Sequence, residues 1–140
     1  MTMQDTGPNP LVVNIEQATL DNINFRTAVW TGTYLQMTLM EIAVGGQVGL
    51  EVHEDTDQFL RLEQGKAKVM MGANKDSLDR EWAAEEDWAI LVPAGTWHNI
   101  INVGDQPLKI YSIYAPVHHP HGTVHATYED ALAAEEAEDN

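Results

Sequence analysis

Glu51 and His53 stand two residues apart in residues 48–53, a run that reads as a strand. Side chains alternate faces along a strand, so these two point the same way. A carboxylate and an imidazole on one face are two ready ligands for a divalent cation. Gln58 follows five residues after His53, across the acidic loop 54–57, which is short enough to fold its amide back beside them. His98 comes after Pro93-Ala94-Gly95-Thr96-Trp97, a tight Pro/Gly turn into a new strand that aims the imidazole reproducibly. If these strands face each other, the four side chains converge. Two imidazoles and one carboxylate form the ligand set of a non-haem iron facial triad, and the same set suits Mn, Ni or Zn. The competing assignments are hydrogen-bonded core histidines for His53 and His98 and a solvated strand residue for Glu51. For Gln58 the alternative to a ligand is a donor that supports one.

Other residues could extend such a site. Asp55 and Asp57 read as loop acids at its mouth, with a general base as the sharper alternative. Tyr111 alternates with Lys109 and Ile113 on the last clear strand, either as a packed aromatic or with its hydroxyl in the cavity. Glu51, Gln58 and Tyr111 are therefore the candidates for a catalytic role. Four histidines fall within residues 118–125, at His118, His119, His121 and His125. They fit a second metal site, a proton-transfer group folded over the mouth, or an ordered arm that uses its histidines for hydrogen bonds. The last of these is the expectation. Trp88 and Trp97 read as core or interface residues. The parity of Tyr34, Gln36, Met37 and Met40 is open.

Composition removes several classes. The chain has no cysteine, so disulfides, thiolate metal sites and a cysteine nucleophile are excluded. No serine sits in a Gly-flanked elbow, and no Gly-rich phosphate loop is present. The net charge of −15 argues against nucleic acid and anionic membrane surfaces as partners. With seven Lys and Arg in all, no basic cluster is evident to grip a phosphate, and Arg61 is expected to point away from Gln58. The N-terminus has no basic segment leading an apolar run, and no stretch is apolar for long enough to cross a bilayer. A cytoplasmic location is the expectation.

The elements that must position these groups are mostly strands. Residues 11–15, 25–30, 34–44, 48–53, 58–62, 66–71, 78–82, 88–92, 97–103 and 108–114 carry strand character between Gly, Pro and Asp turns. Short strands at this spacing predict an all-β sandwich or closed barrel. Only the end reads as helix, with Thr127 as cap and residues 131–137 as helix formers, before an acidic tail.

The spacing resembles the cupin superfamily, small jelly-roll barrels with two motifs. The first, G-x5-H-x-H-x3,4-E-x6-G, is matched by Gly45, Glu51-Val52-His53, Gln58 and Gly65. The second, G-x5-P-x-G-x2-H-x3-N, is matched by Asp87, Pro93-Ala94-Gly95-Thr96-Trp97-His98 and Asn102. Every interval agrees, and the resemblance covers residues 34–116. Three positions depart: Glu51 replaces the first histidine, Gln58 the usual glutamate, and Asp87 a turn glycine. The carboxylate has in effect changed places in the ligand set, leaving two His and one negative charge.

The resemblance implies an all-β cupin jelly-roll β-barrel with a short C-terminal helix. It divides the chain into an N-terminal arm or strand (1–20), the barrel (21–117), and a His-containing arm with an acidic helix and tail (118–140). It implies a divalent metal ion (Fe, Mn, Ni or Zn) on Glu51, His53, Gln58 and His98, and no organic cofactor. The partner would be a small-molecule ligand. The function expected is a metalloenzyme acting on a small polar organic molecule, dioxygenase-like or isomerase-like. The alternatives are a non-catalytic binding or sensor cupin for a small, sugar-like molecule, and a barrel that has lost its metal. A homodimer is expected, with residues 11–15 as a candidate swapped strand.

Overall fold

The computed structural model describes residues 3–138 and carries nine strands and two helices among them. In chain order these are α1 (Ile15–Asp21), β1 (Arg26–Thr31), β2 (Gln36–Ile42), β3 (Asp57–Gln64), β4 (Lys66–Gly72), β5 (Arg80–Glu85), β6 (Ala89–Val92), β7 (Trp97–Asn102), β8 (Leu108–Ala115), β9 (Val124–His125) and α2 (Tyr128–Glu138). The strands form two antiparallel sheets, one in the order β6-β3-β8-β2-β1-β9 and the other β5-β4-β7. The class is all-β as expected, but hydrogen bonding does not run round from one sheet to the other, so the barrel is open. Both β5 and β6 end their sheets as unpaired edges.

Register and alternation arrange the interior in layers. In the larger sheet Gln36 pairs with Tyr114, and Tyr114 with Gln58. Thr38, Ser112 and Leu60 form the next row, Met40, Ile110 and Leu62 the next, and Ile42 with Leu108 the last. All these side chains are buried. One end of the interior is therefore polar and the other aliphatic. In the facing sheet His98 pairs with Met71, Ile100 with Val69, and Asn102 with Ala67, so His98 stands in the first row and an aliphatic row follows it. The aliphatic end supplies the hydrophobic stabilisation, and the polar end collects the groups capable of chemistry.

Two expected elements differ and one is new. Residues 11–15 are not a strand: Asn14 caps α1, its side-chain oxygen accepting from the Gln17 amide at 3.1 Å. A good N-cap outweighs the β-branched Val12-Val13 and Ile15 that favoured a strand. Residues 48–53 are not a continuous strand either, because Gly49 takes a φ of +107° and leaves only bridges to β7. β9 was not anticipated. The C-terminal helix forms as expected, the Thr127 hydroxyl accepting from the Asp130 amide at 3.1 Å. The tail residue Asp139 lies outside the described residues.

The segment before α1 is tied to its own chain. Thr6 N donates to the Val29 carbonyl at 3.2 Å, and Asp5 accepts from the Thr31 amide at 2.9 Å and from Gly122 at 2.9 Å. At the other end of α1, Lys109 on β8 donates to the Asn22 carbonyl at 2.6 Å and pairs with Glu41. Residues on the face shared by Lys109 and Tyr111 are thus turned toward α1, away from the interior.

Candidate metal centre

Glu51 is held directly opposite His98 by a two-way backbone bridge. Glu51 N donates to the His98 carbonyl at 3.0 Å, and His98 N to the Glu51 carbonyl at 2.9 Å. Directly opposed residues of an antiparallel pair project to the same face. His53 is fixed next to them because its carbonyl accepts from Gly95, in the Pro/Gly turn that leads to His98, at 2.8 Å. Gly95 itself has φ +80°. The turn therefore links both histidines, and the shared face that alternation predicted arises from bridges rather than from a strand.

The outcome is a tight group. Glu51 Oε1 lies 3.5 Å from His53 Nε2 and 3.7 Å from His98 Nε2, and the three ligand atoms all lie within 4.8 Å of one another. His98 Nδ1 sits 3.0 Å from the Thr96 carbonyl, which can only accept, so the proton is on Nδ1 and the Nε2 lone pair is free. Glu51 Oε1, His53 Nε2 and His98 Nε2 are all buried without a hydrogen-bond partner. Buried polar atoms are normally satisfied, and a cation shared by these three could satisfy them together. Donors held about 2.1 Å from one ion stand roughly 3.0–3.4 Å apart. The two separations from Glu51 Oε1 need only a slight contraction, and the donor set fits a divalent cation of the kind that takes N and O ligands.

Burial would push the Glu51 carboxyl up. The interactions with His53 and His98, together with the charges of His53 and Arg26, outweigh burial and hold it below the ordinary carboxylate range. The carboxylate is thus ionised at neutral pH. Gln58 is 4% exposed; its amide nitrogen donates to Ser112 Oγ at 2.7 Å and its Oε1 is buried and unpartnered. Ser112 thereby fixes the amide and leaves one acceptor free.

The histidine arm closes over this end. Gln36 accepts from the His119 amide at 2.9 Å and the His118 amide at 3.3 Å, and donates to the His119 carbonyl at 2.8 Å. The clamp sets the His118 ring 4.1 Å from His53 and 5.6 Å from Tyr114, centroid to centroid, while His118 keeps a solvent-exposed face. His119 is buried, its Nε2 3.3 Å from the Tyr114 hydroxyl. Burial lowers the pKa of His118 to about 4, helped by the charge of His53. Burial also raises that of Tyr114. His121 lies 2.9 Å from the Gly7 carbonyl, and His125 Nδ1 accepts from Arg26 at 3.1 Å. The four histidines go to different partners, as an ordered arm requires, and no second metal-binding group forms among the described residues.

Tyr111 does not reach this site. It projects from the opposite face of β8, its ring 6.1 Å from Phe59, while Ser112 and Tyr114 face inward. Strand alternation puts Tyr111 and Tyr114 on opposite faces, and the residue pattern alone does not say which face is inward. Asp57 accepts from the Ala94 amide at 2.9 Å and stays exposed, as a loop acid should. Arg61 points outward to Glu63 and Asp87. Trp88 is half exposed rather than core. Sequence reasoning missed Arg26, Tyr114 and Gln36. Of these only Gln36 was singled out, with its parity unresolved; it faces inward.

A family model described as Cupin domain matches residues 38–114. The chain belongs to the cupin family. This cupin is similar to the uncharacterized protein YrkC of Bacillus subtilis, 56% identical over 136 residues, 97% of this chain and 73% of that one. It is similar to the uncharacterized protein L612 of Acanthamoeba polyphaga mimivirus, 39% identical over 114 residues, 81% of this chain and 69% of that one. The crystal structure of BH2720 from Bacillus halodurans superposes with a TM-score of 0.93 at 56% identity, covering 94% of this chain and 99% of that one. The matched residues of the cupin domain include Glu51, His53, Gln58 and His98 and stop at Tyr114, before the histidine arm.

Proposed function

We propose that this cupin is a metalloenzyme acting on a small polar organic molecule. Glu51, His53 and His98 would hold a divalent Fe, Mn, Ni or Zn ion. The observation that supports this best is the group of three buried, unpartnered atoms Glu51 Oε1, His53 Nε2 and His98 Nε2. A bound cation of this kind supplies Lewis-acid polarisation of a substrate oxygen or a site for O2 chemistry, so the reaction would be dioxygenase-like or isomerase-like. The chain's own residues do the positioning. Thr96 holds His98 in the tautomer with a free Nε2. Gln58, oriented by Ser112, completes the ligand set or accepts a hydrogen bond beside it. The Tyr114 hydroxyl and His119 Nε2 lie 3.3 Å apart on the inner wall, within hydrogen-bond reach of each other.

A non-catalytic binding or sensor cupin is the second reading. What favours it is the arm itself, since Gln36 clamps His118 and His119 over the site. Purification without added metal, followed by elemental analysis, tests the first premise; a metal-free chain indifferent to chelator would refute it. Oxygen uptake by the Fe(II)-loaded protein over a panel of diols and ketones separates the two readings, turnover supporting the enzyme and silence the sensor. A cytoplasmic location and a homodimer belong to the same proposal. Residues 11–15, the candidate for a swapped strand, form no strand within this chain.

A further inference from the structure

We propose that Arg26 is an anion-binding residue, and that the ligand of this cupin is a small carboxylate whose second oxygen reaches the Glu51–His53–His98 group. Arg26 lies on β1 and is 1% exposed. It shares a strand face with Ala28, which pairs with Thr38 in the inner layer. A guanidinium cannot shed its charge in a protein. Yet among the described residues the only polar side chain hydrogen-bonded to it is His125, through Nδ1 at 3.1 Å, and its Nε is buried with no partner. The Phe25 ring lies 5.3 Å beneath the guanidinium carbon. Among the described residues no carboxylate forms an ion pair with it. Groups that feel its charge include Glu51, Tyr114, His118, His119 and His125. Glu51 is the one acid in that set, and its Oε1 is turned to the two histidines.

An unpaired buried cation is costly to keep. It is retained where a counter-ion arrives with the ligand. The charge balance points the same way. A divalent cation together with Glu51 and Arg26 leaves two uncompensated positive charges in a water-poor interior, where electrostatic attraction is strong. An anion is the ligand that such an interior favours. The planar fork of arginine matches a carboxylate in a two-bond geometry. A single guanidinium, with no lysine or second arginine facing inward, suits a carboxylate better than a phosphate, which demands more donors. The free Gln58 Oε1 and the Tyr114 hydroxyl would meet hydroxyl or carbonyl groups on the rest of the molecule. A 2-oxo acid, a 2-hydroxy acid or a small dicarboxylate meets these demands. The exposed face of His118 marks the rim by which it would enter.

The contact with the metal rests on the function proposed above; the contact with Arg26 does not. The test therefore titrates oxalate, pyruvate, lactate, inorganic phosphate and glucose into both the chelator-treated and the Mn(II)-loaded full chain. Wild type, Arg26→Gln and Arg26→Lys are compared by thermal shift and calorimetry, with bound Mn measured in each. At least one carboxylate should raise the melting temperature of both forms, more in the loaded one, and glucose should raise neither. Arg26→Gln should keep its Mn and weaken carboxylate binding by roughly 10- to 100-fold. Should Arg26→Gln not fold, Arg26→Lys decides, with partial loss expected. Carboxylates that fail to bind wild type, or bind Arg26→Gln equally well, overturn the proposal. Phosphate bound more tightly than every carboxylate overturns the ligand class. A chain that takes no Mn yet shows Arg26-dependent carboxylate binding supports Arg26 and refutes the metal reading alone.

Discussion

Replacing His98 by alanine separates a metal ligand from a structural histidine. His98 is 1% exposed, and its loss deletes the bond to the Thr96 carbonyl, worth about 1 kcal/mol. It leaves a ring-sized void that costs roughly 1–3 kcal/mol. It also removes the buried, unpartnered Nε2, relieving about 1–3 kcal/mol. The metal-free variant should thus lie between about 1 kcal/mol above and about 3 kcal/mol below wild type. The metal-dependent difference is read within each protein and so is separate from that offset. At a free metal concentration one hundred times Kd, binding to the native state alone stabilises it by about 2.7 kcal/mol. For a domain of this length that corresponds to a melting-temperature rise of roughly 8–11 °C. Differential scanning calorimetry with Mn, Ni, Zn and, anaerobically, Fe(II) reads this directly. Wild type should show the rise, His98→Ala should not, and Tyr111→Phe should behave as wild type. An equal rise and equal metal content in His98→Ala would refute the ligand assignment.

Two further outcomes follow from the arm. Burial, with the charge of Arg26, holds the pKa of His119 down at about 2, against an ordinary value of 6.5. The unfolded chain binds a proton below pH 6.5 that the native state refuses, so stability falls as pH drops below 6.5, by up to about 1.4 kcal/mol per unit for this group. Above that pH the group contributes nothing to the slope. Urea unfolding of the metal-free protein between pH 7.5 and 4.5 should show this fall, and His119→Gln should flatten it; identical slopes would count against a buried neutral His119. Gln36→Leu leaves the His119 amide and carbonyl without partners and should cost about 2–4 kcal/mol. Amide exchange across residues 117–125 should accelerate in that variant, and unchanged protection would show that Gln36 does not hold the arm.

The site was legible where spacing carries geometry. Glu51, His53 and His98 are found together because two motif intervals and a Pro/Gly turn encode their positions. The supporting reason was only half right, since Gly49 interrupts the expected strand and a bridge to His98 restores the common face. Arg26 was not legible. Its strand, Arg-Thr-Ala-Val-Trp-Thr, has no polar–apolar alternation to declare an inner face, and its first four residues are all buried. Tyr111 and Tyr114 show the same limit: a strand pattern tells which residues share a face, not which face the cavity is on. Residues 11–15 misled because β-branched side chains suit a strand, while the Asn14 cap starts a helix. The arm has no periodicity at all; its place depends on Gln36, more than eighty positions away in the chain.

Crystals soaked in Mn(II), with diffraction collected at the metal's absorption edge, test the central claim most directly. The account predicts one strong anomalous peak within about 2.3 Å of Glu51 Oε1, His53 Nε2 and His98 Nε2. A peak at the His118–His125 arm instead, or none at the triad under saturating metal, would contradict it.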